Sequence, residues 1–248
     1  MLSLRPILLI SAFSFSSALY AENYLDVQSD QNDNPSQLQS IPLLQSLKNI
    51  NPQRDFQAPH IHDLNNRYQV RSLFVETQDL PMVDIQLTFN AGSARDQEIA
   101  KGLYGLSSMA ARLMREGTEQ YSANQVAAVF DQTGAQFSVQ AYRDMFVVRL
   151  RSLSDPEKLE PALGMMMEIL KNASFKASSI NLALSNTQVG QKQLQENPSR
   201  LMDIRFYRTL YGQHPYAEPI SGTQGSTKKI NAGLLKQFRD QFLVAQNM

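Results

Sequence analysis

Cysteine is absent from this 248-residue chain, which excludes disulfides, thiolate metal ligands and thiol nucleophiles. Its absence fits any redox compartment, an oxidising one included. Net charge is missing too, since 23 basic residues balance 23 acidic ones. A phosphate-binding surface needs a basic face, so nothing argues for a nucleic-acid partner. Lys228-Lys229 reads as a solvated pair. Charged residues make up 19% and hydrophobic ones 42%, a composition that suits neither a wholly disordered chain nor a membrane bundle. No internal repeat is present. Histidine is scarce, limited to His60, His62 and His214. His60-Ile-His62 points two imidazoles to one side of an extended segment, short of the three ligands a catalytic zinc requires. His214 lies in a His-Pro-Tyr loop and reads as structural.

What is there begins with an export signal. Met1 to Arg5 is weakly positive, Pro6 to Phe13 is apolar, and Leu19-Tyr20-Ala21 offers a cleavage site before Glu22. That order predicts a signal peptide over residues 1–21, with an apolar core too short to span a bilayer. A buried helix or an uncleaved anchor is the alternative. Arg5 is the only basic residue before Lys48, which argues against an Arg-rich mitochondrial presequence. The expected location is the periplasm, with no stable membrane span once the signal is removed.

Residues 22–65 are rich in Gln, Asn, Asp, Ser and Pro and read as a flexible polar leader. The folded domain is expected over residues 66–248. Tyr68 to Glu76 and Met82 to Asn90 read as strands around a Gln78-Asp-Leu-Pro81 turn. A helix is predicted from Lys101 to Arg115, with Leu103, Leu106, Met109, Ala110, Leu113 and Met114 on its apolar face. Ser122-Ala-Asn-Gln125 matches a capping box, and Gly134 suits the stop of the helix it opens. Ala135 to Ala141 and Met145 to Leu153 read as a second strand pair. Ser154-Asp-Pro-Glu157 starts a helix carrying Leu159, Leu163, Met166, Met167 and Leu170, with Met165-Met-Met167 read as core packing. Further helices are expected over Ala177 to Gln195, Ser199 to Tyr211 and Ala232 to Phe242. Strand pairs interleaved with helices imply an α+β fold, a mixed or antiparallel sheet covered by helices on one face.

Several segments carry a family resemblance in order: Ile85-Gln-Leu-Thr-Phe-Asn-Ala-Gly-Ser93, Gly102 to Thr118, Asp131-Gln-Thr-Gly-Ala-Gln136, Glu196-Asn-Pro198, Tyr211-Gly-Gln-His-Pro-Tyr216 and Pro219-Ile-Ser-Gly-Thr223. Together, from about Tyr68 to Met248, they resemble the pitrilysin/insulinase-type zinc metallopeptidases. In that family one helix carries an inverted His-x-x-Glu-His motif, whose histidines bind zinc and whose glutamate activates water. Anchoring on Gly117-Thr118 puts Ser108, Ala111 and Arg112 at those positions. The family's third ligand, a glutamate, falls at Val189 or Gly190 by counting back from Asn197. No shift of register supplies the motif, because no histidine lies near either helix.

The resemblance therefore implies a degenerate, non-catalytic member with no zinc, carrying no catalytic residue. Arg112 puts a fixed positive charge where the cation would sit, and Ala111 cannot take a proton from water. By the same resemblance the expected partners are a zinc-bearing homologous protease subunit and a peptide or unfolded protein substrate. Relatives lay substrate along an edge strand; the matching residues are Ala135, Gln136, Phe137, Ser138 and Val139. A structural or scaffold role in an envelope complex is the alternative from another class, and an active metallopeptidase a third. Relatives continue past Asn247-Met248 into another strand and a second domain, so the domain is expected to lack both.

Overall fold

Period-two alternation organises the sheet. In β3 (Met82–Phe89), Val83, Ile85, Leu87 and Phe89 turn inward while Asp84, Gln86 and Thr88 are exposed. This computed structural model describes residues 59–64 and 70–248. The expected signal peptide and most of the expected leader lie outside the described residues. Before β3, a two-stranded antiparallel sheet pairs β1 (Ile61–Leu64) with β2 (Ser72–Val75). Of the Tyr68 to Glu76 expected, Val70, Arg71 and Glu76 fall outside the second strand, and its partner falls inside the segment read as leader. Backbone groups pair regardless of composition, which is why a polar stretch supplied a strand.

The main sheet has three strands in the order β3-β5-β4, all antiparallel, with β4 (Gln136–Ala141) at one edge and β5 (Phe146–Leu153) in the centre. Register puts Phe89 opposite Phe146, Leu87 opposite Val148 and Ile85 opposite Leu150 on the inner face. Asp84 meets Arg151 and Gln86 meets Arg149 on the other. There Arg151 pairs with Asp84 at 2.6 Å and the Arg149 Nε donates to Gln86 at 2.8 Å. One face is thus polar and the other packed, as expected of an antiparallel sheet covered on one side.

The covering helices follow local rules. After α1 (Asp96–Ile99) and α2 (Leu106–Leu113), α3 (Ala123–Thr133) opens on the Ser122/Gln125 capping box and stops at Gly134, in the left-handed region at φ 68°. Asp155 caps α4 (Pro156–Asn172) by accepting the Glu157 N–H at 3.1 Å. Met165 and Met166 enter the core from α4, whereas Met167, one position on, is 52% exposed; a helix step of 100° turns it away from its neighbours' face. Then come α5 (Ala177–Gln195), α6 (Pro198–Tyr211), α7 (Gln224–Thr227) and α8 (Ala232–Phe242). Leu106, Leu113, Phe146, Leu150, Met166, Ile169, Leu235, Phe238 and Phe242 form the centre of one core. Helix α2 sits in that core and also touches α5, so it links the packed interior to the site described next.

Candidate functional site

Helix α2 starts later than the expected Lys101, because Gly102 and Gly105 occupy positive φ at 70° and 89°. A left-handed residue interrupts a right-handed helix, and glycine takes that conformation without a Cβ penalty. The orphan N–H groups of the new start are met by Asp96. Its Oδ2 accepts from Gly105 N at 2.8 Å and Leu106 N at 2.9 Å, and its Oδ1 from Ser107 N at 3.0 Å. Asp96 is 0% exposed. Burial pushes its carboxyl up from 3.8 to about 6, against the opposing pull of those N–H groups. At its other end α2 tightens into a 3₁₀ turn, Met114–Glu116.

A second chain segment is pressed against this start. A Cβ at Gly105 would lie 2.7 Å from the Ser221 carbonyl, and one at Gly222 would lie 2.3 Å from the Tyr104 carbonyl. The Ser226 hydroxyl donates to Tyr104 O at 2.8 Å, which holds the loop in place. Upstream, Arg143 donates to the carbonyls of Tyr216 at 2.7 Å and Glu218 at 3.1 Å, and lies over the Tyr207 ring. The His214 Nδ1 accepts the Tyr216 N–H at 3.2 Å, consistent with the structural role read from its loop.

Between these parts lies a cavity of about 510 Å³ lined by α2, α5, the start of α6 and Ser221. Of the residues singled out from the sequence, Ser108 and Arg112 line it from α2 and Gly190 lines it from α5. Ala111 is buried in the core instead. Val189 is 53% exposed and is not among the lining residues, so of these two α5 positions Gly190 shares the cavity with Ser108 and Arg112. Sequence reasoning missed Thr187, Gln191, Leu194, Asn197 and Arg200, which also line it. The i, i+4, i+7 spacing of Thr187, Gln191 and Leu194 was the available signal. Arg200 had none, since it belongs to the next helix.

The donor set does not fit the zinc that the resemblance implies for catalytic relatives. Among the described residues no histidine, aspartate or glutamate lines the cavity, while two arginines, Arg112 and Arg200, do. Hydroxyls and neutral amides are poor replacements for the three protein ligands of a catalytic zinc. Among the described residues, no cluster of three or more His, Cys, Asp or Glu is arranged to hold a metal ion.

The expected edge strand is an edge: among the described strands β4 pairs only with β5. It begins at Gln136, leaving Ala135 just outside it, and Gln136 is exposed. Ser138 and Val139 are half-buried, while Phe137 is buried and stacks on Phe130 with ring centres 4.9 Å apart. Helix α2 packs on β4 as well as on α5.

Comparison with known proteins bears on this arrangement. The profile of the family Insulinase (Peptidase family M16) matches residues 73–224. A Rickettsia bellii (strain RML369-C) protein named "Uncharacterized zinc protease" is 25% identical over 178 residues, covering 71% of this chain and 42% of that protein. The "Non-peptidase homolog YmxG" of Helicobacter pylori (strain ATCC 700392 / 26695) is 24% identical over 176 residues, 71% of this chain and 40% of its own length. The crystal structure of a peptidase M16 inactive domain from Pseudomonas fluorescens superposes with a TM-score of 0.72 at 32% identity, covering 76% of this chain and 45% of that one. The chain thus spans less than half the length of each of these relatives.

Proposed function

The chain belongs to the insulinase family, peptidase family M16, and from that premise we propose that it is an exported, periplasmic, non-catalytic peptidase-like subunit. In this reading it binds no zinc, pairs with a zinc-bearing homologue and helps to enclose or hold a peptide substrate. The observation that carries the reading is the cavity where Ser108, Arg112 and Gly190 converge without a metal-ligating side chain. A fixed positive charge there repels a divalent cation, and among the described residues no His, Asp or Glu lines the cavity to accept a proton from water.

Two further features support the pairing and holding parts. Met202, Phe206 and Leu210, each one turn from the next on α6, are exposed, and no residue of that helix is buried. An apolar stripe of this kind is what a partner surface requires. Among the described strands β4 has one unpaired edge, which would offer backbone groups to an extended peptide adding as a further strand.

The deciding experiment combines metal analysis of the purified chain with peptide hydrolysis in the presence and absence of a zinc-bearing M16 homologue from the same cell. Expected are no stoichiometric zinc, no hydrolysis by this chain alone, and a partner activity that rises when the two are mixed. Equimolar zinc with chelator-sensitive hydrolysis by this chain alone would overturn the reading. A partner rate left unchanged would favour the scaffold role instead.

A further inference from the structure

The charge of the cavity points to a ligand class. Arg112 and Arg200 approach it from different helices, and no aspartate or glutamate lines it. Elsewhere on the chain Arg95, Arg151, Arg208 and Arg239 each meet a carboxylate. Neither Arg112 nor Arg200 has a side-chain hydrogen bond or ion pair among the described residues. Asp96 is not among the lining residues, and its two oxygens face the N–H groups of Gly105, Leu106 and Ser107 instead. Guanidinium groups present fixed donor forks that match a carboxylate, and two of them from separate helices can grip one anion from two sides.

The remaining lining narrows the class. Ser108, Thr187 and Asn197 supply neutral polar atoms, and Gln191 Oε1 is buried with no hydrogen-bond partner among the described residues, while its Nε2 donates to Gly222 O at 3.3 Å. Met109 and Leu194 supply apolar wall. A cavity of about 510 Å³ exceeds what a lone inorganic anion fills and suits a small organic group. We infer that this cavity is a carboxylate-binding site that takes the C-terminal end of a peptide, its carboxylate between Arg112 and Arg200 and its last side chain against Met109 and Leu194. The site that holds a cation in catalytic relatives holds an anion here. The inference rests on the peptide-holding part of the proposed function.

The test uses the full chain and a randomised decapeptide pool, labelled with fluorescein at the N-terminus and made both as the free C-terminal acid and as the C-terminal amide. Fluorescence anisotropy at low salt is expected to show the acid pool binding at least tenfold more tightly than the amide pool. In the Arg112→Gln/Arg200→Gln double variant the gap is expected to fall below twofold. Both side chains are exposed, so the variant should fold, which circular dichroism checks. Equal binding of the two pools would overturn this inference and leave peptide holding intact. A gap that survives in the double variant would also overturn it, by putting the carboxylate elsewhere. If neither pool binds, the peptide-holding reading fails and takes the inference with it. Binding of inorganic phosphate without binding of the acid pool would identify a different occupant and overturn it as well.

Discussion

The Asp96 carboxylate accepts the Gly105 N–H at 2.8 Å, so an acidic residue nine positions upstream caps the helix that carries Ser108 and Arg112. No side chain within α2 or at its N-cap performs that task. The position of the cavity's α2 wall therefore depends on a residue outside it. Replacing Asp96 with Ala leaves three N–H groups buried without a partner, at a cost of about 3 kcal/mol. Urea denaturation of Asp96→Ala at pH 6 should register a loss of that size. A loss below about 1 kcal/mol would show that water or a rearranged loop replaces the cap.

The same carboxyl makes stability depend on pH. Its ordinary value of 3.8 rises to about 6 in the folded chain. Between those values the folded state keeps a proton that the unfolded state has lost. Ionisation therefore works against folding, and the contribution present below pH 4 is lost as pH rises through 6. The displacement corresponds to about 3 kcal/mol. Denaturation midpoints measured from pH 4 to 7 should show this downward component in wild type and not in Asp96→Asn. Identical pH profiles for the two proteins would remove Asp96 from the account.

Gly222 is a second point on which the cavity depends. It lies at φ 74°, and an added Cβ would meet the Tyr104 carbonyl at 2.3 Å. Gly222→Ala should lower stability by about 2–3 kcal/mol and loosen the loop that carries Ser221. Hydrogen exchange should then report faster exchange of the α2 start, at Gly105 to Ser107, than of the distant α4. Uniform acceleration across both would mean the effect is global rather than local.

Phe206 should behave in the opposite way. It is 60% exposed on a helix with no buried residue, so Phe206→Ser should change stability by no more than about 0.5 kcal/mol. Under the proposed pairing it should nonetheless abolish co-purification with a zinc-bearing homologue. Retained co-purification would move the partner surface away from α6.

The lost metal site can also be probed by restoration. Ser108, Arg112 and Gly190 line one cavity, so Ser108→His/Arg112→His/Gly190→Glu supplies three ligands facing a common space. That triple variant is expected to hold zinc near one equivalent in dialysis, and the double variant without Gly190→Glu far less. Equal zinc in the two would show that α5 does not contribute the third position.

Much of the fold was legible before any coordinates. The bounds of α5 and α8 agree with those expected from the sequence, and the Ser122/Gln125 box and Gly134 bracket α3 as expected. These features depend on residues within one or two turns of each other. The start of α2 was not legible, because its cap lies nine positions away across a loop and the segment packed against Gly105, Ser221 and Gly222, is far off in the chain. The β1 partner of β2 escaped for a related reason, since backbone pairing leaves no mark on composition.

The sequence by itself determined which chemical groups exist: no cysteine, three histidines all remote from the motif helix, and no acid on α5. Side-chain chemistry is a property of composition, so the absence of an inverted zinc motif needed no structure. Tertiary structure alone decided which groups meet. It put Gly190 and not Val189 in the cavity wall, buried Ala111, left β4 at the edge of the described strands and brought Arg200 to the same cavity as Arg112. Those outcomes depend on contacts between segments far apart in the chain, where packing and chain reversal, not local preference, set the distance.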